Sequence, residues 1–259
     1  MASGTALVTG ASAGIGREFC RQLAERGYDL ILVARDEARL RALAGELEGR
    51  HRIGVETLAA DLTLDGEVDR VAARVRESAE LTLLVNNAGF GTLGSLATAP
   101  AEQQERMVRL HVLTPMRLTQ AALPGLLERG RGAVVNVSSV ASFIYSPGNV
   151  NYCATKAYLT SFSEGLATEL RGTGVQVQAL CPGFTRSEFH QRMGEDGGLR
   201  PRFMWLTAPG VVRASLAQLD RRGAVVCVPG LGYKLLVGMI RHLPRPLIGR
   251  LTTLGYRRL

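Results

Sequence analysis

Six short apolar runs in the first 183 residues, set between stretches of a different period, restrict this chain more than any other feature. TALVT (5–9), DLILVA (29–34), GVETLAA (54–60), LTLLVN (81–86), GAVVNVS (132–138) and VQVQALCP (175–182) read as buried parallel strands. Between them, IGREFCRQLAER (15–26), DEARLRALAGELEG (36–49) and EQQERMVRLHVLTPMRLTQAALPGLLER (102–129) have helical period. The last holds Pro115 and Pro124, and the missing proline N–H predicts a kink or a division there. A helix, APGVVRASLAQLD (208–220), and a strand, AVVCV (224–228), follow. Strand and helix in alternation imply β-α-β crossovers with helices on both faces. The expected fold is α/β, a single-domain doubly wound parallel sheet of about seven strands over residues 1–228, with a basic amphipathic extension at 229–259.

The first run leads directly into TGASAGIG (9–16), and a helix begins at Ile15. A tight glycine turn lets backbone approach a pyrophosphate, whose charge then rests on the N–H groups and positive end of the helix. Gly10, Gly14 and Gly16 are spaced G-x-x-x-G-x-G and not the common G-x-G-x-x-G, so alone they read as an ordinary glycine turn, and their place between strand and helix favours a dinucleotide site. At the end of the second strand, an NAD enzyme commonly offers an acid to the ribose 2′-hydroxyl. Here LVARDEARL puts Ala34 where that acid is expected, then Arg35, with Asp36 as the N-cap of the next helix. A fixed guanidinium suits a 2′-phosphate, so NADP(H) is favoured over NAD(H), and Ser12 is a second candidate for that phosphate. The plainer reading of Arg35 is a solvated turn residue.

Composition matters at one position. Of 31 basic residues only Lys156 and Lys234 are lysine, and Lys156 follows Tyr152 by one helical turn in NYCATKAYL. Residues i and i+4 share a helix face. A free phenol ionises near pH ~10, and a nearby ammonium favours the phenolate. Tyr-x-x-x-Lys by itself is a common helical coincidence. Three strand ends accompany it: NNAG (86–89), NVSSVASF (136–143) and CPGFTRSEF (181–189), all expected at the carboxyl edge of the sheet.

The glycine turn, NNAG, the serine strand end, Y-x-x-x-K and PG-x-T, in this order over roughly residues 5 to 190, resemble the short-chain dehydrogenase/reductase family. The resemblance implies a Rossmann-like fold and hydride transfer between a nicotinamide and a carbonyl or secondary alcohol. It implies that Gly10, Gly14, Ile15 and Gly16 line the pyrophosphate, and that Asp61 with Leu62 meets the adenine. Asn87, Ala88 and Gly89 pack near its ribose and hold the central strand, while Pro182, Gly183 and Thr185 flank the nicotinamide. In the same reading Tyr152 passes the proton and Ser139 hydrogen-bonds the reacting oxygen. Lys156 holds the nicotinamide ribose and lowers the phenol pKa. Strand alternation turns Ser138 to the other side. Where the family usually has Asn, RLHVLTP places His111, either a proton relay or a hydrogen-bonded spacer. The family is commonly dimeric or tetrameric through the helices containing His111 and Tyr152, so a homodimer or homotetramer is expected. Two rival functions stay open: a non-catalytic NADP(H) sensor or scaffold, and an epimerase or dehydratase sharing Tyr-x-x-x-Lys. The second usually carries G-x-x-G-x-x-G and a larger C-terminal substrate region.

The long segment after Gly183, FTRSEFHQRMGEDGGLRPRFMWL (184–206), reads as part of a substrate lid at 184–207. Phe184, Phe189, Met193, Phe203, Met204 and Trp205, with Phe90, Phe143 and Tyr145, suggest a hydrophobic ketone or alcohol: ketoacyl, steroid-like or aryl. Sealing the lid to the body is their plainer role. Arg186, Arg192, Arg200 and Arg202 are either a greeting for an acidic carrier or an exposed basic face.

The net charge of +8 comes from the tail, because residues 221–259 hold eight basic side chains and no acid. With a charge-balanced body and few aromatics, nucleic acid is not an expected partner. In GLGYKLLVGMIRHLPRPLIGRLTTLGYRRL, helical spacing puts Leu235, Leu236, Met239, Ile240 and Leu243 on one face with Lys234 and Arg241 opposite. Pro244 and Pro246 stop that helix. Residues 231–259 thus either pack on their own domain or a partner, or make peripheral membrane contact. Four scattered cysteines without C-x-x-C predict reduced thiols and no metal site. Cys153, beside Tyr152 but turned ~100° around the helix, is expected to be a packing residue. No secretory signal and no membrane-spanning run are visible, so the expected location is cytoplasmic, with membrane association left to the tail.

Overall fold

Successive residues of a strand point to opposite faces of its sheet, and β1 (Thr5–Thr9) divides its apolar side chains accordingly. In the computed structural model, which describes residues 4–186, 188 and 204–256, Ala6 and Val8 join one core and Leu7 the other. After β1 come α1 (Gly14–Glu25), β2 (Asp29–Ala34), α2 (Glu37–Arg50), β3 (Val55–Ala59), α3 (Asp65–Glu77) and β4 (Leu81–Asn86). The second half opens with α4 (Ala101–Val108), a π-helical turn (Arg109–Leu113), α5 (Thr114–Glu128) and β5 (Gly132–Val137). A 3₁₀ turn (Val140–Phe143), α6 (Val150–Glu169), β6 (Val175–Leu180), β7 (Thr185–Arg186) and β8 (Leu206–Thr207) follow. The chain continues through α7 (Ala208–Asp220), β9 (Val226–Cys227), α8 (Leu231–His242) and α9 (Arg245–Tyr256).

Seven strands pair in the order β3-β2-β1-β4-β5-β6-β9, all parallel. Strand β2 repeats the alternation of β1: Leu30 and Leu32 enter the core that holds Phe19, Leu40 and Leu216, while Ile31 and Val33 enter the core that holds Val71, Leu118 and Leu166. Helices α1, α2 and α7 therefore cover one face, and α3, α5 and α6 the other. The doubly wound sheet expected from the alternation is present, with β9 reduced to two residues of the five anticipated.

Asp36 caps α2, its Oδ1 accepting from the Arg39 N–H at 3.0 Å. Helix α3 fills the crossover between the third and fourth strands, with Val68, Val71, Ala72 and Val75 at the spacing of a buried helical stripe. Of the two expected breaks, the one at Pro115 is present and the one at Pro124 is not. Pro124 lies inside α5 without dividing it, and Leu126 beyond it is fully buried. The irregularity falls at the π-helical turn just before Pro115, whose missing N–H removes a bond that the preceding turn would otherwise receive. On α8 the packed face is Tyr233 and Val237, which join Ala179, Cys181 and Val228 in a third core. The expected stripe of Leu235, Leu236 and Met239 points outward.

Candidate active site

The sheet order places β1 beside β4, so the connections from their carboxyl ends diverge and leave a crevice between them. The turn after β1 fills its floor. Gly10 has φ +67°, a left-handed conformation that suits glycine. A Cβ on Gly16 would lie 2.2 Å from the Gly10 carbonyl oxygen and 2.4 Å from Asn87 Nδ2, so no side chain fits there. Asn87 Nδ2 donates to the Thr9 carbonyl at 2.8 Å, and the Asn87 and Ala88 N–H groups donate to Thr9 Oγ1 at 2.9 and 3.0 Å. NNAG thus laces the glycine turn to β4. No side chain caps α1, whose N-cap is Ala13, so its first-turn N–H groups are available to an anion. These features fit a dinucleotide pyrophosphate.

Ser139, just after β5, and Tyr152, in the first turn of α6, come together so that the serine hydroxyl acts on the phenol, while Ser139 Oγ accepts from the Ala141 N–H at 3.1 Å. Ser138 turns away as alternation requires, donating to the Lys156 carbonyl at 2.8 Å and sharing a bond with Thr160. Lys156 is buried, with Nζ donating to the Val137 carbonyl at 2.9 Å and standing 5.6 Å from the centre of the Tyr152 ring. Burial pulls its ammonium down to about 8. Burial likewise pushes the Tyr152 phenol up to about 12, outweighing the lowering by the nearby Ser139 hydroxyl. The expected depression of the phenol by Lys156 is not seen. A phenol in this state is protonated at neutral pH and is poised to donate.

Helix α6 is held against the sheet by a chain of buried amides and hydroxyls that the motifs did not disclose. Asn86 Nδ2 donates to Asn136 Oδ1 at 2.9 Å, and Asn136 Nδ2 donates to Ser163 Oγ at 2.9 Å. Ser163 completes it by donating to the Leu159 carbonyl. These bonds tie α6 to one register against β4 and β5, with Asn86 Oδ1 left buried and unpaired.

His111 sits in the π-helical turn, buried, with its ring edge to Tyr152 at 5.8 Å between centres. The Phe90 N–H donates to its Nε2 at 3.1 Å. Nε2 is therefore an acceptor, and the proton of the neutral ring lies on Nδ1, which is 3.1 Å from Thr155 Oγ1. Thr155 in turn donates to the Tyr152 carbonyl at 2.9 Å. Burial, then the Lys156 ammonium, push the imidazole well below its ordinary range. Both ring nitrogens are occupied. Thr155 and the Phe90 backbone carry no motif signal, and only contact reveals them.

The remaining cofactor candidates are distributed around this centre. Asp61 follows β3 and accepts from the Thr63 N–H and hydroxyl at 3.0 and 2.8 Å. Burial raises its carboxyl, but those bonds and the Arg35 and Arg106 guanidinium groups outweigh it and hold it below the usual range. Asp61 also borders a cleft of about 400 Å³. Leu62 is buried, and Arg35 is exposed at the end of β2, with Ser12 half-buried in the glycine turn. Gly89 packs on His111, 2.9 Å separating Nε2 from where a Cβ would be. Pro182 and Gly183 follow β6, and Thr185 is buried, its hydroxyl donating to the Gly183 carbonyl at 2.9 Å.

The tail supplies a residue that the motifs missed. The Tyr233 ring of α8 lies so close to Gly183 that a Cβ there would meet it at 2.1 Å. Its hydroxyl accepts from the Phe184 N–H at 3.1 Å and donates to the Met204 carbonyl at 2.7 Å. Phe184 and Trp205 tilt together at 5.8 Å between rings, Phe143 packs against the third core, and Tyr145 is exposed. Arg186 is also exposed. Phe189, Arg192, Met193, Arg200, Arg202 and Phe203 lie outside the described residues. The four cysteines are free and buried, Cys153 among them.

Comparison with known proteins matches this arrangement. The family model described as short chain dehydrogenase covers residues 4–197. A short-chain dehydrogenase from Sphingobium yanoikuyae, solved in complex with NADPH, superposes with a TM-score of 0.84 at 38% identity over 93% of this chain and 97% of that one. The bulky-bulky ketone specific alcohol dehydrogenase of Comamonas testosteroni gives 0.79 at 32% identity, over 93% and 95%. The very-long-chain 3-oxoacyl-CoA reductase of Coprinopsis cinerea (strain Okayama-7 / 130 / ATCC MYA-4618 / FGSC 9003) is 36% identical over 71% of this chain, which spans 55% of that protein's length.

Proposed function

The chain belongs to the short-chain dehydrogenase/reductase family, an oxidoreductase acting on CH–OH or C=O with a nicotinamide cofactor, and we propose that it is an NADP(H)-dependent reductase of bulky hydrophobic ketones. The observation that carries this reading is the convergence of Ser139, Tyr152 and Lys156 at one strand end, with the serine acting on the phenol and the ammonium 5.6 Å from the ring centre.

Gly10, Gly14, Ile15 and Gly16 hold the pyrophosphate and Ser12 offers its hydroxyl to the 2′-phosphate, with Asp61 and Leu62 toward the adenine and Asn87, Ala88 and Gly89 toward its ribose. Arg35 takes the 2′-phosphate: it stands at the end of β2, and the strand offers Ala34 where a hydroxyl-binding acid would sit. Pro182, Gly183 and Thr185 flank the nicotinamide, whose ribose Tyr152 and Lys156 meet. When bound, the nicotinamide supplies the hydride in reduction and accepts it in oxidation. Tyr152 gives its phenolic proton to the oxygen of the reacting carbonyl, and Ser139 donates a hydrogen bond to the same oxygen. Lys156 stabilises the phenolate that Tyr152 leaves behind. In oxidation Tyr152 takes the proton back. Donors aimed at the oxygen act where charge develops, so they contribute more to the transition state than to the ground state.

His111 takes no part in the proton's route. It is a neutral spacer that ties the Phe90 loop to α6 through Thr155. The apolar residues Phe90, Phe184 and Trp205 near the strand ends favour a bulky hydrophobic ketone of the ketoacyl, steroid-like or aryl class, as do the Comamonas and Coprinopsis relatives. Leu113, Val150 and Tyr158 are exposed on the π-helical turn and α6, which supports assembly into a homodimer or homotetramer through these helices.

A panel of aryl ketones, keto-steroids and 3-oxoacyl thioesters, assayed with NADPH and with NADH and with products identified, tests the proposal. Reduction of at least one class is expected, with Tyr152→Phe slower by ~10²–10³-fold and still binding NADPH. Tight NADPH binding with no carbonyl reduced across the panel would replace this reading with a sensor or scaffold.

A further inference from the structure

Helix α8 is apolar on two faces. Tyr233 and Val237 pack on the domain at 7% and 4% exposure. At ~100° per residue, Leu231, Leu235 and Met239 lie on the opposite side. They are 74%, 62% and 61% exposed, and Leu236 flanks them. A helix apolar on both sides ordinarily finds something to cover each. The next helix repeats the pattern: Ile248 of α9 is buried while Leu247 and Leu251 are exposed. Among these leucines stand the exposed Lys234, Arg245 and Arg250, and residues 221–259 contain no acid to neutralise them. Arg241 is engaged elsewhere, paired with Glu164 at 3.2 Å and set over the Phe143 ring.

We propose that the outer face of α8, continued by α9, docks on an anionic lipid surface, the leucines and Met239 entering the acyl boundary and Lys234, Arg245 and Arg250 meeting lipid phosphates. Charge selects this occupant. A second copy of the chain meeting the same face by two-fold symmetry would bring Lys234, Arg245 and Arg250 against their own equivalents, with no acid in the tail to relieve the repulsion. An anionic bilayer offers hydrocarbon to the exposed stripe and negative charge to the bases at once. Contact in the interface plane is all that the chain needs, and among the described residues no helix is long and apolar enough to cross a membrane. The docking is independent of the reaction proposed above. It nonetheless places the surface next to the active site, because Tyr233 on the same helix rests on Gly183.

Flotation of the full chain with phosphatidylcholine vesicles, with and without about one-third phosphatidylglycerol, tests the docking. Binding to the anionic vesicles, weakened by salt and at least tenfold weaker with neutral ones, is expected. Leu235→Glu/Met239→Glu, both at exposed positions, should lose that binding while melting temperature and NADPH affinity stay unchanged. Lys234→Gln/Arg250→Gln should lose the preference for phosphatidylglycerol. The proposal falls if the wild type ignores anionic vesicles, or if the Leu235/Met239 variant floats as well as wild type. It also falls if light scattering shows that this variant instead separates a wild-type oligomer, which would assign the face to a second copy.

Discussion

His111 Nδ1 stands 3.1 Å from the Thr155 hydroxyl, and Thr155 passes the bond on to the backbone carbonyl of Tyr152. With Nε2 already accepting from the Phe90 N–H, the imidazole has no site left for a travelling proton. His111→Asn is therefore expected to keep kcat/KM within about tenfold of wild type, since the amide can still accept from Phe90 and donate to Thr155. The pH profile between 6 and 8 should be the same for both proteins. A limb near pH ~6.5 that disappears in the variant would restore the relay role.

The same burial makes His111 a source of acid sensitivity. Its folded pKa is depressed below the unfolded value of ~6.5, so below that pH the unfolded chain binds the extra proton and the folded chain does not. Stability attached to this group is complete above pH ~6.5 and declines as pH falls toward the folded pKa. The wild type should lose more melting temperature between pH 7 and 5.5 than His111→Asn does. Parallel decline of the two proteins would show that the ring is not the titrating group.

Two glycines in helices predict opposite outcomes. Gly16→Ala drives a methyl into the Gly10 carbonyl and Asn87 at 2.2 and 2.4 Å, so NADPH binding should fall below detection in calorimetry. Gly45 lies in α2 with nothing within 4 Å of a new Cβ. Gly45→Ala should raise stability by about 0.5–1 kcal/mol in urea titration, through helix propensity alone, with cofactor affinity unchanged.

Arg35 is exposed at the end of β2, within electrostatic reach of Asp61. Loss of a guanidinium–phosphate contact typically costs on the order of 1.5–3 kcal/mol, or about ten- to hundredfold in affinity. Arg35→Asp should lower NADPH affinity by that factor and leave NADH affinity equal or higher. If both cofactors bind as in wild type, the guanidinium is a solvated turn residue.

Much of this molecule was written in local sequence. The apolar runs are strands because β-branched and leucine side chains on both faces need two covered sides, and the alternating helices provide them. TGASAGIG reads as a turn between strand and helix because its glycines allow the left-handed backbone seen at Gly10. Tyr152 and Lys156 share a face by helical spacing, and Ser138 and Ser139 separate by strand alternation. Neither relation requires distant parts of the chain.

What depended on distant parts was decided only by the tertiary structure. A spacing rule cannot foresee that burial would hold the Tyr152 phenol up and Lys156 down, because desolvation is a property of everything packed around a group. The hydrogen-bond partners of His111 are Phe90 and Thr155, 21 and 44 residues away, and they meet it only once α6 lies beside the π-helical turn. The tail shows the same division. Its period announced an amphipathic helix, yet which side faces the domain was set by the space that Gly183 leaves for Tyr233, and a helical period does not encode the shape of the surface it lands on.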